Sequence, residues 1–361
     1  MTSLTEISYR ARQIVKFGGI AIVVIIVVKL GFTVWDTYLK KVNPPPPPPP
    51  TVAFGKLPTI VFPQKTHPEL TLRLETPTGG TPNLGDRAAI YLMPTFRSNF
   101  LALDEAKATA GKMRFKGEVK EITERRFRWE NDEFLPSILE MDIINGSFVL
   151  QRNWQADPTV LTDKQLPGKE QAVIEGKNFL RQAGLLTDEL GRARTEVSYL
   201  TFSGGQYVEA VSLSEADFVE LNMYRPDIEE KSVLTTDPEK GVIRMIFSGS
   251  REAQKKTVLI EYNYFPVDAE QTATYPIKTA NSAWREMQTR QGYIADIGDN
   301  PNGIITIRKI YLGYYDSNVP QGFLMPIIVF EGDNDFYGYV QAITDEWLEE
   351  PFAIDGYQRP N

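Results

Sequence analysis

Residues 137–154 read SILEMDIINGSFVLQRNW. Two apolar runs flank Asn145-Gly146. Asn-Gly between such runs is the strongest short hairpin signal, because a type I′ turn needs two residues with positive φ. The stretch therefore predicts two antiparallel strands, and the rest of the chain is read outward from it.

Upstream, LALDEAKATAGKM (101–113) places Leu103, Ala106, Ala110 and Met113 at helical spacing, and RRFRWE (125–130) reads as a strand. Helix first, strands after, recurs downstream. In EQAVIEGKNFLRQAGLL (170–186), Val173, Gly176, Phe179, Leu180 and Ala183 share a helical face. Strands follow at 194–202, 206–213 and 218–225, and then a hairpin of 241–250 with 255–267. A third helix, TANSAWREMQT (279–289), carries Ala280, Ala283, Trp284 and Met287 at i, i+3, i+4 and i+7. After it come GIITIRKIYLGYY (303–315) and FLMPIIVFEGDNDFYGYVQAI (323–343), a hairpin turning near Asp333-Asn334. The pattern predicts an α+β fold of repeated helix-plus-antiparallel-sheet units at 83–165, 166–270 and 271–361.

The first 82 residues differ in character. Residues 17–35, FGGIAIVVIIVVKLGFTVW, carry one charge, Lys29, near the distal end. Ile20–Val28 is apolar on every face, unlike an amphipathic soluble helix. Lys29 can snorkel, and Trp35 and Tyr38 sit where an aromatic belt belongs. A transmembrane helix is expected over 17–38, after a cytoplasmic tail at 1–16. No small-x-small cleavage site follows the apolar core before the prolines, which argues against a signal peptide.

Positive residues number three before the span (Arg10, Arg12, Lys16) and two after it (Lys40, Lys41), a preference for the N-terminus inside. Residues 39–82 read as a Pro-rich linker. Its seven prolines, Pro44–Pro50, would extend about 22 Å as polyproline II and hold a body off the headgroups. Within the linker, VAFGKLP and TIVFP read as short extended pieces able to cap an edge of that body.

Residues 1–50 carry a surplus of four positive charges, so the net −8 of the chain leaves −12 on the remaining 311 residues. An acidic body argues against nucleic-acid binding. The absence of cysteine excludes disulfides, iron–sulfur clusters and thiolate zinc sites. Hydrophobic content of 42% with 16 Tyr and 19 Phe suits a folded, strand-rich body.

The third unit carries a resemblance. AWREMQTRQGYIA, ITIRKIYLGYYD and GFLMPIIVFEG, within 279–343, resemble the C-terminal part of YycH/YycI-type bacterial proteins, whose domains are similar to PepSY modules. The matching features are Ala283-Trp284, Gln291-Gly292-Tyr293, Leu312-Gly313-Tyr314-Tyr315 and the strand from Met325 to Glu331. The resemblance implies a single-span extracytoplasmic protein of the plasma membrane that regulates or partners other envelope proteins. It transfers no functional residues, because Tyr311 and Tyr315 on one strand face and Tyr314 on the other read as packing positions.

Chemistry is sparse. The single histidine, His67, is flanked by Thr66 and Pro68 and reads as a loop residue. Glu331, Asp333 and Asp335, and Asp296 with Asp299, fall at expected turns, where Asp and Asn are favoured for their backbone tolerance. DIGDNPNG (296–303) and GDNDFYG (332–338) lack the spacing of a helix-loop-helix calcium site. TPTGGTPNLGD (76–86) lacks the Lys-Ser/Thr of a phosphate cradle. No catalytic, cofactor-binding or metal residue is assigned. The expectation is a non-enzymatic binding or scaffold module, tethered to the bilayer by its N-terminal helix and docking on another envelope protein. The alternative is a carboxylate-dependent hydrolase of cell-envelope glycan, which requires acids converging in a deep pocket.

Overall fold

The structure is a computed structural model. It describes residues 16–349, apart from 20, 21, 23, 37, 39–48, 97, 98, 163 and 164. The expected cytoplasmic tail before residue 16 and prolines 44–48 lie outside the described residues, as does the chain from 350 on. Two units are distinguished, Met1–Pro49 and Pro50–Asn361.

In the first unit, helix α1 spans Lys16–Asp36 and is long and apolar enough to cross a membrane. Its 21 residues rise roughly 31 Å, a bilayer's hydrocarbon thickness.

The second unit contains the strands. In chain order they are β1 (Thr71–Leu74), β2 (Arg87–Leu92), β3 (Val119–Glu121), β4 (Arg126–Asn131), β5 (Ser137–Asp142), β6 (Phe148–Arg152), β7 (Arg194–Ser203), β8 (Gln206–Glu209) and β9 (Phe218–Tyr224). They continue as β10 (Val233–Thr235), β11 (Ile243–Ser248), β12 (Thr257–Tyr262), β13 (Asp268–Pro276), β14 (Tyr293–Asp296), β15 (Ile304–Asp316), β16 (Phe323–Gly332) and β17 (Tyr337–Gln341). Helices α2 (Ala102–Lys112), α3 (Thr159–Thr162), α4 (Lys169–Ala183), α5 (Asp188–Gly191), α6 (Ala253–Lys256) and α7 (Ala280–Gln288) lie between them. The protein is thus mixed α+β, with a body that is mostly sheet.

One sheet has nine strands in the order β3-β4-β5-β6-β12-β11-β9-β7-β8, every pair antiparallel. Helices α2 and α4 cover one face. Ala106 and Ala110 of α2 and Ala172, Leu180 and Ala183 of α4 share a core with Leu139, Leu150, Leu221, Met245 and Ile260. Gly176 lets α4 approach, because a Cβ there would lie 2.4 Å from Leu221 Cδ2. Part of the opposite face is polar and laced across strands: Arg128 Nε donates to Glu140 at 2.9 Å, and Arg244 Nε to Glu220 at 2.5 Å. The rest of that face carries a second, smaller core, in which Trp154 and Val160 cover Leu200, Phe218 and Ile246. The period-two alternation of an antiparallel sheet sends successive residues to these two faces.

The other sheet has eight strands. Its spine is β1-β15-β16-β17-β14, with β10 also on β15 and β2 joining β16 to β13. Strands β1 and β10 run parallel to β15. Helix α7 buries Ala280, Ala283, Trp284 and Met287, the face the spacing predicts. Tyr315 enters the core under α7, Tyr311 packs against that core, and Tyr314 joins a separate cluster with Tyr91 and Phe265.

The strands do not divide at the boundaries expected from the sequence. Units 83–165 and 166–270 merge, because β6 pairs with β12 through Gln151↔Leu259 to Phe148↔Tyr262. Each strand has an otherwise open edge, and pairing satisfies both backbones. Strand β2 leaves the first unit, and β10 the second, for the eight-stranded sheet. The expected linker also ends earlier than residue 82. Leu57 is fully buried, Leu57 N donates to Trp347 O at 2.8 Å, and Val52 N to Thr274 O at 3.0 Å. Apolar Val52, Phe54, Leu57, Ile60 and Phe62 punctuate this Pro-rich stretch and pack on the eight-stranded core.

The hairpin at 137–154 forms with different turn chemistry from that expected. β5 and β6 pair from Ser137↔Arg152 to Met141↔Phe148. Gly146 has φ +75, whereas Asn145 is not among the residues with positive φ. The Asp142 carboxylate instead accepts from Ile144 N at 2.9 Å and Asn145 N at 3.2 Å, building a wider loop. A turn with two positive φ values does close β7 and β8, at Gly204 (φ +60) and Gly205 (φ +83).

Candidate binding cleft

Where the sheets meet, Arg225 follows β9 and Asp316 ends β15, both with fully buried side chains. Arg225 Nε donates to Asp316 Oδ2 at 2.9 Å, Nη1 to Glu189 Oε1 at 2.6 Å, and Nη2 to Phe265 O at 2.6 Å. The Tyr264 ring lies 4.9 Å from the guanidinium, and its hydroxyl donates to Glu189 Oε2 at 2.7 Å. Burial pushes the Asp316 carboxyl above the usual carboxylate range, against the pull of Arg225. This buried joint ties the two sheets together.

Near this seam an open cleft of about 910 Å³ runs along β7. Lys169, Glu170 and Val173, at the start of α4, form one wall. Thr195–Ser198 of β7 form the lip, and Tyr207, Glu209, Glu220, Asn222, Glu239, Lys240 and Arg244 line the other side. The register explains the split. Val197 turns toward the core under α4, while Glu196 opposite Asn222 and Ser198 opposite Glu220 face the polar side.

The polar wall is internally bonded. Glu220 Oε2 accepts from Ser198 Oγ at 3.3 Å and Asn222 Nδ2 at 3.2 Å, and Asn222 Oδ1 from Gly241 N at 3.1 Å. Tyr224 donates to Glu196 Oε2 at 3.1 Å and Glu239 O at 2.8 Å. Burial, then the Glu196 carboxylate, raises the Tyr224 hydroxyl far above its ordinary range, so it stays a neutral donor. Arg244 is held by Glu220 and Glu261, and Lys240 by Asp237 at 2.8 Å. Glu170 and Glu209 form no ion pair among the described residues. Five glutamates against three cations line the cleft; Arg194 beside it pairs with Glu196, which leaves Glu170 and Glu209 among its unpaired acids.

At one end of the cleft, Glu239 meets Asp237 and Asp296. One oxygen of each lies within 4.8 Å of the others, a grouping able to approach a cation among the described residues. Burial, then Asp296 and Asp237, raise the Glu239 carboxyl above its ordinary value. Three oxygens are few beside the roughly six to eight that calcium takes, and Lys240 already engages Asp237.

The acids weighed from sequence are placed differently. Segments 296–303 and 332–338 dock on each other: Asp299 N donates to Asn334 O at 3.0 Å, and Asn300 Nδ2 to Asp333 O at 3.1 Å. Asn334 (φ 54) and Asp335 (φ 61) make the turn expected there. Asp333 takes two bonds from Arg308, at 2.8 and 2.7 Å, and Glu331 pairs with Lys309 at 2.5 Å. Asp296 Oδ1 accepts from Gly298 N at 2.8 Å. His67 is exposed, with Nδ1 2.9 Å from Pro68 O. Sequence reasoning missed Asp237 and Glu239, which lie in a connection with no periodic signal. It missed the cleft because the cleft depends on where β8 stops.

No family model matches the chain, and no curated protein matches it. The chain is similar in structure to an uncharacterized protein from Eubacterium rectale ATCC 33656, at 11% identity and a TM-score of 0.40. That match covers 76% of this chain and 89% of the other. A likeness of that degree carries no argument about fold or activity.

Proposed function

We propose that this chain is a single-pass membrane-anchored protein whose body lies outside the cytoplasm and acts by binding another envelope protein. The observation that carries the reading is one apolar helix, Lys16–Asp36, joined to an acidic, mostly-sheet body with an open cleft beside a strand. The order of α2, α4 and α7, each ahead of antiparallel strands, supports reading the body as related units of the kind the third unit's resemblance implies. The positive residues before the span favour the N-terminus inside. Tethering confines the body near the bilayer and raises its effective concentration toward membrane partners.

Hydrolase chemistry is the weaker reading. Asp333 and Glu331 are engaged by Arg308 and Lys309, and the convergence at Asp237, Glu239 and Asp296 lies at the mouth of an open cleft.

Two experiments test the proposal. A reporter fused after Asn361 should be active only outside the cytoplasm, and cytoplasmic activity reverses the orientation. Photo-crosslinkers placed over the body in living cells should capture one recurring envelope protein. No capture from any position, with envelope assembly and signalling unchanged on deletion, removes the binding reading.

A further inference from the structure

A sheet edge exposes unpaired N–H and C=O groups, and natural proteins cover, shorten or charge such edges. In the eight-stranded sheet the edge strands β1 and β10 are short, four and three residues, and β13 and β14 are met by other parts of the chain. Val52 N and Thr51 N bond to Thr274 of β13, and Lys65 Nζ reaches Ala295 O of β14 at 2.5 Å. In the nine-stranded sheet, β3 is an edge of only three residues.

Strand β7 differs. It has ten residues, and β8 pairs only with Leu200–Ser203. The last bond on that side is Ala210 N to Tyr199 O, at 2.8 Å. By the two-residue alternation of antiparallel pairing, Val197 and Thr195 present their N–H and C=O to the same side. No strand takes them among the described residues. The cleft lies along this lip.

We infer that the open edge of β7 at Thr195–Val197 receives an extended, basic segment of the partner protein, added as a further strand. The inference rests on the binding reading above and names its surface. An added strand sends alternate side chains to opposite faces. One set meets Val173 and the start of α4. The other meets Glu209 and Glu239, beside the Glu196 that Arg194 already engages. The fitting sequence therefore alternates apolar residues with lysine or arginine. A second copy of this chain fits poorly, because pairing β7 with β7 would oppose the glutamates of two clefts.

The test uses the full chain in lipid nanodiscs and a twelve-residue peptide alternating lysine with valine. The controls are the same peptide with glutamate for lysine and one with proline at alternate positions. The lysine peptide should bind, and both controls should bind at least tenfold more weakly. Hydrogen exchange should show new protection at Thr195 and Val197.

Glu209→Lys with Glu239→Lys, two exposed substitutions, should weaken binding at least tenfold with the circular-dichroism spectrum unchanged. Val197→Pro, which removes an edge N–H that no strand accepts, should do the same. Equal binding of the three peptides, or binding without protection at β7, overturns the inference. So does protection at Thr195 and Val197 that grows with protein concentration and no peptide, since a second copy then fills the edge. Crosslinking in cells separates the two levels. Partner capture elsewhere on the body but not from position 197 ends this inference and leaves the binding reading intact, whereas no capture anywhere ends both.

Discussion

The two sheets of the body solve the same problem in opposite ways. The eight-stranded sheet is enclosed. Seven consecutive residues of β16, Leu324 to Phe330, are buried, and segment 51–65 lies over the edges at β13 and β14. The nine-stranded sheet keeps part of one face in water, cross-linked by Arg128–Glu140 and by Arg244 with Glu220 and Glu261, and leaves part of β7 unpaired. The contrast sets a sheet whose central strand is buried over most of its length against one with a free strand edge, the surface proposed above for binding.

The largest effect is expected at the joint between the sheets. Arg225→Met strands the buried Asp316 carboxylate, and the expected loss is about 3–5 kcal/mol in denaturant unfolding of the full chain in detergent. Arg225→Met with Asp316→Leu removes both charges and should recover most of that loss. If the double variant is no better than the single one, the pair is not what couples the sheets.

Next comes the cover of the enclosed sheet. Leu57→Ala empties a fully buried site and should cost about 2–4 kcal/mol by the same measurement. A loss typical of an exposed position, within about 0.5 kcal/mol, would make segment 51–62 a true linker.

The turns of the nine-stranded sheet come next in size. Gly205→Val forces a β-branched residue to φ +83 in the turn that ends the open edge, and should cost about 1–2 kcal/mol. Asn145→Ala should cost less, about 0.5–1 kcal/mol, because it loses the bond from Ser147 N to Asn145 Oδ1 at 2.8 Å while Asp142 and Gly146 still hold the β5–β6 loop. Equal thermal shifts for the two variants would restore Asn145-Gly146 as the turn-determining pair.

The smallest effect is electrostatic. Lys255, then Thr159, hold the Asp157 carboxyl down from its ordinary 3.8 to about 2. A depressed folded pKa contributes stability above the unfolded value that is lost as pH falls toward the folded one. Asp157→Asn should therefore flatten the stability profile between pH about 4 and about 2 and leave its slope at neutral pH unchanged.

Much of this architecture is legible in the chain. The buried face of α7, the β11–β12 hairpin and the turn at Asn334-Asp335 follow from periodicity and turn chemistry. Sheet membership does not, because the pairing of β6 with β12 joins residues about a hundred positions apart and leaves no local signal. The docking of residues 51–62 was partly visible as extended apolar pieces, but proline content obscured how deeply Leu57 sits. The Gly204-Gly205 turn carried a readable signal of its own, whereas Asn145-Gly146 lost its expected geometry to the neighbouring Asp142. The cleft was invisible, since it exists where a strand of ten residues meets one of four.

Native-state hydrogen exchange on the full chain tests the contrast most directly, by comparing the amides of Val197 and Thr274. Thr274 N is bonded to Thr51 Oγ1 at 3.0 Å beneath the covering segment, whereas the Val197 N–H faces the cleft. Val197 should exchange at least about tenfold faster than Thr274 in the free protein. Equal protection at the two positions would mean that β7 has no open edge, and would remove the surface proposed for strand addition.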